Sequence, residues 1–453
     1  MKRMSWLTLL MLLLAMALVA CGGTGDAEPE ADAGDTAADS GDEEAMDEEA
    51  MDEEAMDEEA MDEEEMDEEE MEAMDELVCD DAIGCVEIAP GDAIRVASAL
   101  VITGPNESLG LDSQYGVEIA IADRGEINGH AIELQTEDDG CTAEGGQAAG
   151  QKIASDPSIV GVIGTSCSGA GVPMAQIVCE AGIAMISPSN TAASLTDPAT
   201  RQSCYFRTAH NDNIQGRAMA EFVINELGLS KAAVIHDGDP YTEGLASVFR
   251  DSFIDLGGEV VAFEAEASDA TNVEPLLTTV AASGPEIIYY PVFIPLGALI
   301  TKTAQEIDGL EDVVLASADG VQSPDFIDAS GGAAEGMYAS GPDLGFGNEI
   351  YNTFLETYEA EYGTEPTAPF HAHAFDATNM LLDAIEAVAQ VGDDGSMLIG
   401  RQALIDQIAS TSGMVGITGT LTCDEFGDCA DPQIGVSLVE DGSFNTIWNY
   451  ANE

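Results

Sequence analysis

Short runs rich in valine and isoleucine alternate with longer amphipathic stretches from residue 90 to about residue 320. Stretches such as 113–125 and 243–258 have helical periodicity, whereas the short runs have the composition of β-strands. The predicted strands are 94–101, 131–138, 159–164, 183–188, 232–237, 259–265, 286–293 and 313–320. Strands that alternate with helices predict an α/β fold of mostly parallel sheets with helices on both faces. Because the 363 residues that follow residue 90 exceed the size at which one core stops growing, we expect two lobes.

The first residues have a different pattern, which is typical of an export signal. Lys2 and Arg3 precede an apolar run over 7–20, which is short for a transmembrane span. The segment "LVACGG" at 18–23 resembles the lipobox of bacterial lipoproteins. We therefore predict a signal peptide over 1–20 and a lipid on Cys21 that anchors the chain to the outside of the cell membrane. The alternative is a free cysteine after an ordinary signal.

Residues 21–76 are dominated by acidic residues and repeat the unit "AMDEE". A five-residue period carries the methionines around a helix, so they form no single apolar face. Dense like charge without aromatic residues predicts a disordered tether, with cation capture as the alternative.

The net charge excludes one class of partner. Of the 87 acidic and 12 basic residues, 58 and 10 follow residue 76, which leaves a net charge of −48 on that part. Such a surface would repel nucleic acid and an anionic bilayer, so we expect no nucleic-acid partner. It is suited to a salty environment.

Nine cysteines in an exported protein indicate disulfides. With Cys21 assigned to a lipid, Cys79 and Cys85 can close a small loop, which places a disulfide in the lead-in 77–91, and Cys423 and Cys429 can do the same. The other four allow three pairings that spacing does not distinguish: Cys141, Cys167, Cys179 and Cys204. The cysteines lack the CxxC spacing of a zinc site, so we predict no metal.

Ligands of such α/β sheets bind at the loops that follow the carboxyl ends of the strands. These loops are "TGPNES", "GTSCSGAG", "SPSNTA", "HDGDPYTEG", "PVFIPLG" and "SADGVQSP". In "GTSCSG" no serine lies midway in a GxSxG elbow, and a reactive cysteine would need a basic partner that this chain scarcely offers. His371 and His373 are two residues apart, which does not place them on one helical face. We therefore predict neither an enzyme nor a cofactor.

Hydroxyl-bearing residues follow two of the predicted strands. Ser168 precedes one helical stretch, and Ser189, Asn190 and Thr191 precede the helical-looking "AASLT". Two helix N-termini with hydroxyl groups can hold a carboxylate without an arginine, although ordinary N-capping is the alternative.

Asp319 follows a strand of the second lobe, where it can face an ammonium group; the alternative is a helix cap near Ser323. Three aromatic residues are candidates for an apolar wall, although each alone is more often part of a core: Tyr241, Phe293 and Phe370.

From about residue 92 to 450 the chain resembles the leucine/isoleucine/valine-binding proteins, the type I periplasmic substrate-binding components of ATP-driven amino-acid importers. The resemblance rests on four segments in the family's order and spacing: "VIGTSCSGAGVPMAQIVCEAGIAMISPSNTAASLT", "VIHDGDPYTEGLA", "IIYYPVF" and "AAEGMYAS".

The resemblance implies a set of ligand contacts. Ser168 and Thr191 would bind the carboxylate, and the backbone carbonyl of Ser189 and the side chain of Asp319 would receive the ammonium. The implied pocket walls are Leu109, Cys167, Asn190, Tyr241, Phe293 and Phe370. It also implies the disulfides Cys141–Cys167 and Cys179–Cys204. The family often has Glu at 319, an aromatic at 109 and a small apolar residue at 190, so the ligand here is expected to differ or to be more polar.

The resemblance further implies two lobes joined by three crossings near residues 210, 342 and 430. Lobe 1 would comprise 92–209 and 343–430, and lobe 2 would comprise 210–342 and 431–453. The implied function is that of a monomeric solute-binding lipoprotein that closes on a small amino acid and passes it to a membrane permease. The alternative is a sensor of amino acids, urea or short amides that signals to a membrane receptor.

Overall fold

The computed structural model describes residues 77–450. The predicted signal peptide, Cys21 and the acidic tether lie outside the described residues. The strands are β1 (Cys85–Ile88), β2 (Ile94–Leu100), β3 (Glu126–Ile127), β4 (His130–Asp138), β5 (Ile159–Gly164), β6 (Ala184–Ser187), β7 (Tyr205–Arg207), β8 (Lys231–His236), β9 (Glu259–Ala265), β10 (Ile287–Tyr289), β11 (Val314–Ser317), β12 (Tyr338–Pro342), β13 (Gln390–Val391), β14 (Met397–Gly400), β15 (Ser412–Val415), β16 (Thr420–Thr422), β17 (Ile434–Glu440) and β18 (Ser443–Asn449).

The helices lie mainly between these strands. They are α1 (Glu107–Arg124), α2 (Ala143–Ala154), α3 (Ser168–Glu180), α4 (Asp212–Asn225), α5 (Pro240–Asp255), α6 (Glu274–Ser283), α7 (Ile294–Ala304), α8 (Pro324–Ser330), α9 (Glu349–Tyr362), α10 (His371–Val388) and α11 (Arg401–Ala409). Three short 3₁₀ turns cover Ala193–Leu195, Asp319–Val321 and Gly331–Ala334.

Two large sheets define two lobes. The lobe 1 sheet has the order β3-β4-β2-β5-β6-β7 and is parallel except at the two-residue β3. The lobe 2 sheet has the order β18-β17-β12-β11-β10-β8-β9, and its last five strands are parallel. The predicted α/β class with mostly parallel sheets is confirmed.

The predicted strands differ from the observed ones mainly at 286–293, which ends at Tyr289. Pro291 follows closely and has no N–H group to donate to a neighbouring strand. Five strands of the two large sheets were not predicted: β3, β7, β12, β17 and β18. The antiparallel β17 and β18 complete the lobe 2 sheet beside β12.

The alternation of side chains along the central strands of lobe 2 builds a core on each face of its sheet. Ala233 and Ile235 of β8 belong to one apolar cluster, whereas Ala232 and Val234 belong to the other. Successive residues of a strand point to opposite faces, so a sheet that helices cover on both sides needs apolar residues at both. Lobe 1 has one large cluster that includes β2, β5, β6, α3 and α10.

The chain passes between the lobes three times, and the crossings lie side by side. The first follows Arg207, whose N–H donates to the Gly427 carbonyl at 3.0 Å while its carbonyl accepts from the Cys429 N–H at 3.0 Å. The second and third lie together because Pro342 pairs with Ile434 and the Asp343 N–H donates to the Gln433 carbonyl at 2.8 Å.

Four disulfides join cysteines within the described residues: Cys79–Cys85, Cys141–Cys167, Cys179–Cys204 and Cys423–Cys429. These are the pairs expected from spacing and from the family resemblance. None of the helices between residues 77 and 450 is both long and apolar enough to cross a membrane.

The excess of acidic residues predicts that the folded chain is stabilised by salt. Raising NaCl from about 0.01 M to about 0.15 M shortens the Debye length from about 30 Å to about 8 Å and weakens repulsion between surface carboxylates. We expect the melting temperature, followed by circular dichroism, to rise by several degrees, mostly within this range. A melting temperature that stays constant there and rises only in molar salt would point to general salting-out instead.

Candidate functional site

A cavity lies between the carboxyl-end loops of the two sheets. Residues from both lobes line it: Leu109, Ser166, Cys167, Ser168, Ser189, Thr191, Tyr241, Phe293, Asp319, Gly320 and Phe370. Nine of the ten predicted ligand residues are therefore brought together, and Asn190 is the exception. Sequence analysis did not predict Ser166 or Gly320 as cavity residues, although they are next in sequence to the predicted residues Cys167 and Asp319.

The loop after β5 is held rigidly below the cavity. The buried Asp139 carboxylate accepts hydrogen bonds from the N–H groups of Ser166 at 2.6 Å and Cys141 at 2.7 Å. The Cys141–Cys167 disulfide closes the same loop. Burial raises the pKa of Asp139 to about 7, although these hydrogen bonds oppose the rise. The "GTSCSG" segment is thus fixed where α3 begins at Ser168.

The Ser168 hydroxyl connects the two hydroxyl-bearing loops. Its oxygen accepts a hydrogen bond from the Ala192 N–H at 3.2 Å, so its own proton remains free for an acceptor in the cavity. The Ser189 hydroxyl donates to the Ser166 carbonyl at 3.0 Å. The sequence predicts a second helix N-terminus after Thr191. This prediction is wrong, because Ala193–Leu195 forms only one 3₁₀ turn.

Asn190 does not line the cavity, which corrects its predicted place in the wall. Its Nδ2 donates to the Thr165 carbonyl at 2.9 Å. Its Oδ1 accepts from Thr165 Oγ1 at 3.1 Å and from the Tyr205 hydroxyl at 3.3 Å. The fully buried amide is turned into lobe 1 because its polar atoms find partners there. The cavity wall is instead apolar where it is formed by the large side chains of Leu109, Phe293 and Phe370.

A buried arginine that sequence analysis missed supports the Thr191 loop. Arg207 Nη1 donates to the carbonyls of Asn190 at 3.0 Å and Ala192 at 2.9 Å, and its Nε is paired with Asp428. Burial alone would raise the pKa of Asp428, but the Arg207 charge and hydrogen bonds to the carboxylate outweigh burial and lower it. Asp428 lies 221 residues further along the chain, so no local signal indicates the pair.

The lobe 2 side of the cavity offers an acid. Asp319 Oδ1 accepts hydrogen bonds from Gln215 Nε2 at 2.7 Å and the Tyr241 hydroxyl at 3.2 Å, while the Tyr241 oxygen accepts from the Gly320 N–H at 3.2 Å. Both bonds to Asp319 use Oδ1, so Oδ2 is left for another donor. Burial raises the pKa of Asp319 to about 6, and the two hydrogen bonds oppose the rise.

Two polar contacts join the lobes near this cavity. The hydroxyl oxygens of Ser108 and Ser323 lie 2.8 Å apart. Asp239, which caps α5 through the Tyr241 N–H at 2.8 Å, faces Gly169 at the start of α3. A methyl group at Gly169 would lie 1.9 Å from Asp239 Oδ2, so the Asp239 side chain would have to move to accommodate a larger residue there.

The two histidines that we discounted as a metal pair have separate surroundings. His371 Nδ1 lies 2.9 Å from Asp112 Oδ2, and its Nε2 lies 2.9 Å from the Tyr351 hydroxyl. His373 packs edge-on against Phe370. Within 77–450 no group of three His, Cys, Asp or Glu side chains is arranged to hold a metal ion.

Comparisons with known proteins give consistent results. The model of the periplasmic binding protein family matches residues 93–425. Leu/Ile/Val-binding protein homolog 3 of Brucella melitensis is 26% identical over 80% of this chain and 95% of its own length. The leucine-, isoleucine-, valine-, threonine-, and alanine-binding protein of Pseudomonas aeruginosa is 27% identical over 74% and 87%. The crystal structure of a leucine-binding protein, LivK, of Thermotoga maritima has a TM-score of 0.71 and 26% identity over 79% and 98%.

The ion pair between the fully buried Arg207 and Asp428, whose side chain is 27% exposed, predicts a loss of stability when Arg207 is replaced. Arg207→Met leaves Asp428 without its charged partner, so we expect the free energy of unfolding to fall by about 3–5 kcal/mol in urea titrations. Arg217→Met is the matched control, because Arg217 is 64% exposed and pairs with Glu221 on the same helix; it should leave the stability almost unchanged, since exposed ion pairs contribute little. Equal losses in the two variants would contradict the role assigned to Arg207.

Proposed function

The chain belongs to the periplasmic binding protein family, and we propose that it captures an amino acid with an apolar branched side chain and delivers it to the permease of an ATP-driven importer. Members of this family are substrate-binding proteins and not enzymes, and the family implies an extracytoplasmic location. The observation that carries the proposal is the meeting of neutral donors from lobe 1 with one acid from lobe 2 in a single cavity.

Lobe 1 is suited to the carboxylate of the ligand. The hydroxyls of Ser168 and Thr191 line the cavity, and α3 begins at Ser168 with N–H groups that have no partner within the helix. A helix N-terminus favours negative charge. The cavity lining has no arginine or lysine, so these neutral groups would bind the carboxylate.

Lobe 2 is suited to the ammonium group. Asp319 would accept it through Oδ2, assisted by the backbone carbonyl of Ser189 across the cavity. A hydrogen bond to a charged group contributes about 1.5–3 kcal/mol. A ligand that uses both lobes therefore favours the closed arrangement of the hinge.

The side-chain end of the ligand would lie against apolar groups. Leu109, Phe293 and Phe370 surround the cavity together with the Cys141–Cys167 disulfide. Because the amide of Asn190 is turned away, the wall favours an aliphatic side chain over the more polar ligand that the sequence suggested. Two relatives are named for binding leucine, isoleucine and valine.

We also propose the arrangement of the whole chain from the sequence. Residues 1–20 would be the signal peptide, Cys21 would carry the lipid, and residues 21–76 would be a tether of roughly 40 Å as a flexible coil. The lobes would extend over 92–209 with 343–430, and over 210–342 with 431–453, as one monomer.

Asp319→Asn removes the charge that would hold the ligand ammonium and preserves the side-chain shape. We expect L-leucine to bind at least tenfold more weakly by calorimetry, about 1.4 kcal/mol. 4-Methylpentanoate, which has the same carbon frame without the amino group, should lose much less. Asp328→Asn, an exposed acid on α8, is the matched control. Unchanged leucine affinity in Asp319→Asn would refute the assignment.

The raised pKa of Asp319 predicts that leucine binding depends on pH. The ligand needs the ionised carboxylate, so affinity should be full well above pH 6, about half lost near pH 6 and lower still as Asp319 gains a proton below that pH. Asp239 has a pKa of about 6 as well, and Asp319→Asn distinguishes the two. Its weaker binding should vary little over this range; a fall of the same size in the variant would assign the effect to Asp239 instead.

A further inference from the structure

A second acid, Asp212, lies behind the Thr191 loop and was not singled out by the sequence. It is the first residue of α4, at the first crossing between the lobes, and it is fully buried. Its N–H donates to the Thr191 carbonyl at 2.9 Å. Neither carboxyl oxygen makes a hydrogen bond within the part of the chain that the structure describes. A buried carboxyl group without partners is costly if ionised, so its presence needs an explanation.

The neighbouring groups decide which carboxyl group holds a proton. Asp319 and Asp239 place negative charge near Asp212, and Arg207 places positive charge near it. The Arg207 donors are engaged by Asp428, Thr196 and the carbonyls of the Thr191 loop. Tyr241 and Tyr289 are neutral, because burial raises the pKa of each well above its usual value. His210 is also neutral, because burial lowers its pKa to about 4.

Of the two acids Asp212 and Asp319, Asp319 is better able to carry a negative charge. Its Oδ1 receives hydrogen bonds from Gln215 and Tyr241, whereas Asp212 receives none. The N-terminus of α4 does not compensate, because the Asn213 N–H is already taken by the Asn211 side chain at 3.0 Å. Two carboxylates that share a buried site do not both ionise readily. Burial raises the pKa of Asp212 well above its usual value, and the charge of Asp319 raises it further.

Thr191 connects Asp212 to the cavity. Its hydroxyl lies close enough to the Asp212 carboxyl to affect that group's pKa, although the pair falls short of good hydrogen-bond geometry here. Thr191 also lines the cavity. A hydroxyl that accepts a hydrogen bond on one side directs its own proton to the other side.

We propose that Asp212 is a positioning residue that is protonated and donates a hydrogen bond to Thr191 Oγ1, so that the Thr191 hydroxyl points its own proton at the ligand carboxylate. The proposal rests on the amino-acid binding function proposed above. It deepens that function, because Asp319 is then the only one of the two acids Asp212 and Asp319 that carries a negative charge, so the cleft selects a ligand with one ammonium and one carboxylate.

The test compares Asp212→Asn, whose amide can still donate to Thr191, with Asp212→Leu, which cannot. At neutral pH, Asp212→Leu should bind L-leucine about tenfold more weakly than the wild type, and Asp212→Asn should recover at least fivefold of that loss. L-Leucinamide, which has no carboxylate, should change less than threefold in either variant. Asp325→Leu, an exposed acid in the first turn of α8, is the control for removing an acid.

A double-mutant cycle shows whether Asp212 acts through Thr191. In a Thr191→Val background the difference between Asn and Leu at 212 should fall below about twofold. The proposal is overturned if Asp212→Asn binds as poorly as Asp212→Leu, or if the difference persists without the threonine hydroxyl.

Infrared difference spectroscopy keeps the proposal testable if Asp212→Leu does not fold. The wild type at neutral pH should show the carbonyl stretch of a protonated carboxyl group that Asp212→Asn lacks, and identical spectra would overturn the proposal. If the wild type binds no leucine, the proposed function fails by itself, whereas the infrared result still reports on the proton.

Discussion

The buried guanidinium of Arg207 is the constraint on which the site depends. Its side chain is fully buried, and removing its charged partner would cost several kcal/mol. It must therefore keep Asp428 and the carbonyls of Asn190 and Ala192 within reach. These two carbonyls lie on either side of Thr191, so the cavity residue is fixed from both sides. The same ion pair joins the first and third crossings, which places the ligand loop and the hinge in one hydrogen-bonded unit.

The parallel sheets explain why the two halves of the site meet. In each lobe the carboxyl ends of neighbouring parallel strands lie at one edge, so β5 and β6 present Ser168 and Thr191 together. In lobe 2, β11 presents Asp319 beside Tyr241 from α5. Lobe 1 thus supplies donors and lobe 2 supplies an acceptor. In the proposed function, a ligand with one group of each kind would gain its full binding energy only when both lobes contact it, which would couple recognition to closure.

Local patterns in the sequence were sufficient to predict the central strands and the loops that follow them. They failed where side-chain direction depends on distant partners. The family resemblance implies a wall position for Asn190, yet Thr165 and Tyr205 satisfy its amide inside lobe 1. Arg207 was missed because Asp428 is far along the chain. Asp212 gave no signal in a chain with so many acids, since only burial separates it from the solvated ones.

The acidity of the chain bears on which solutes the cleft accepts. A negatively charged surface repels anions over about one Debye length, whereas a zwitterion has no net charge and is repelled far less. Inside the cleft the charge of each acid matters more, because salt screens buried groups much less than exposed ones. With Asp212 neutral, the charge of Asp319 matches one ammonium group; with Asp212 ionised, the same cleft would favour a doubly charged cation and repel the carboxylate near Thr191. In the proposed function, the selection of a zwitterion would therefore depend on whether Asp212 holds a proton as much as on the shape of the cavity wall.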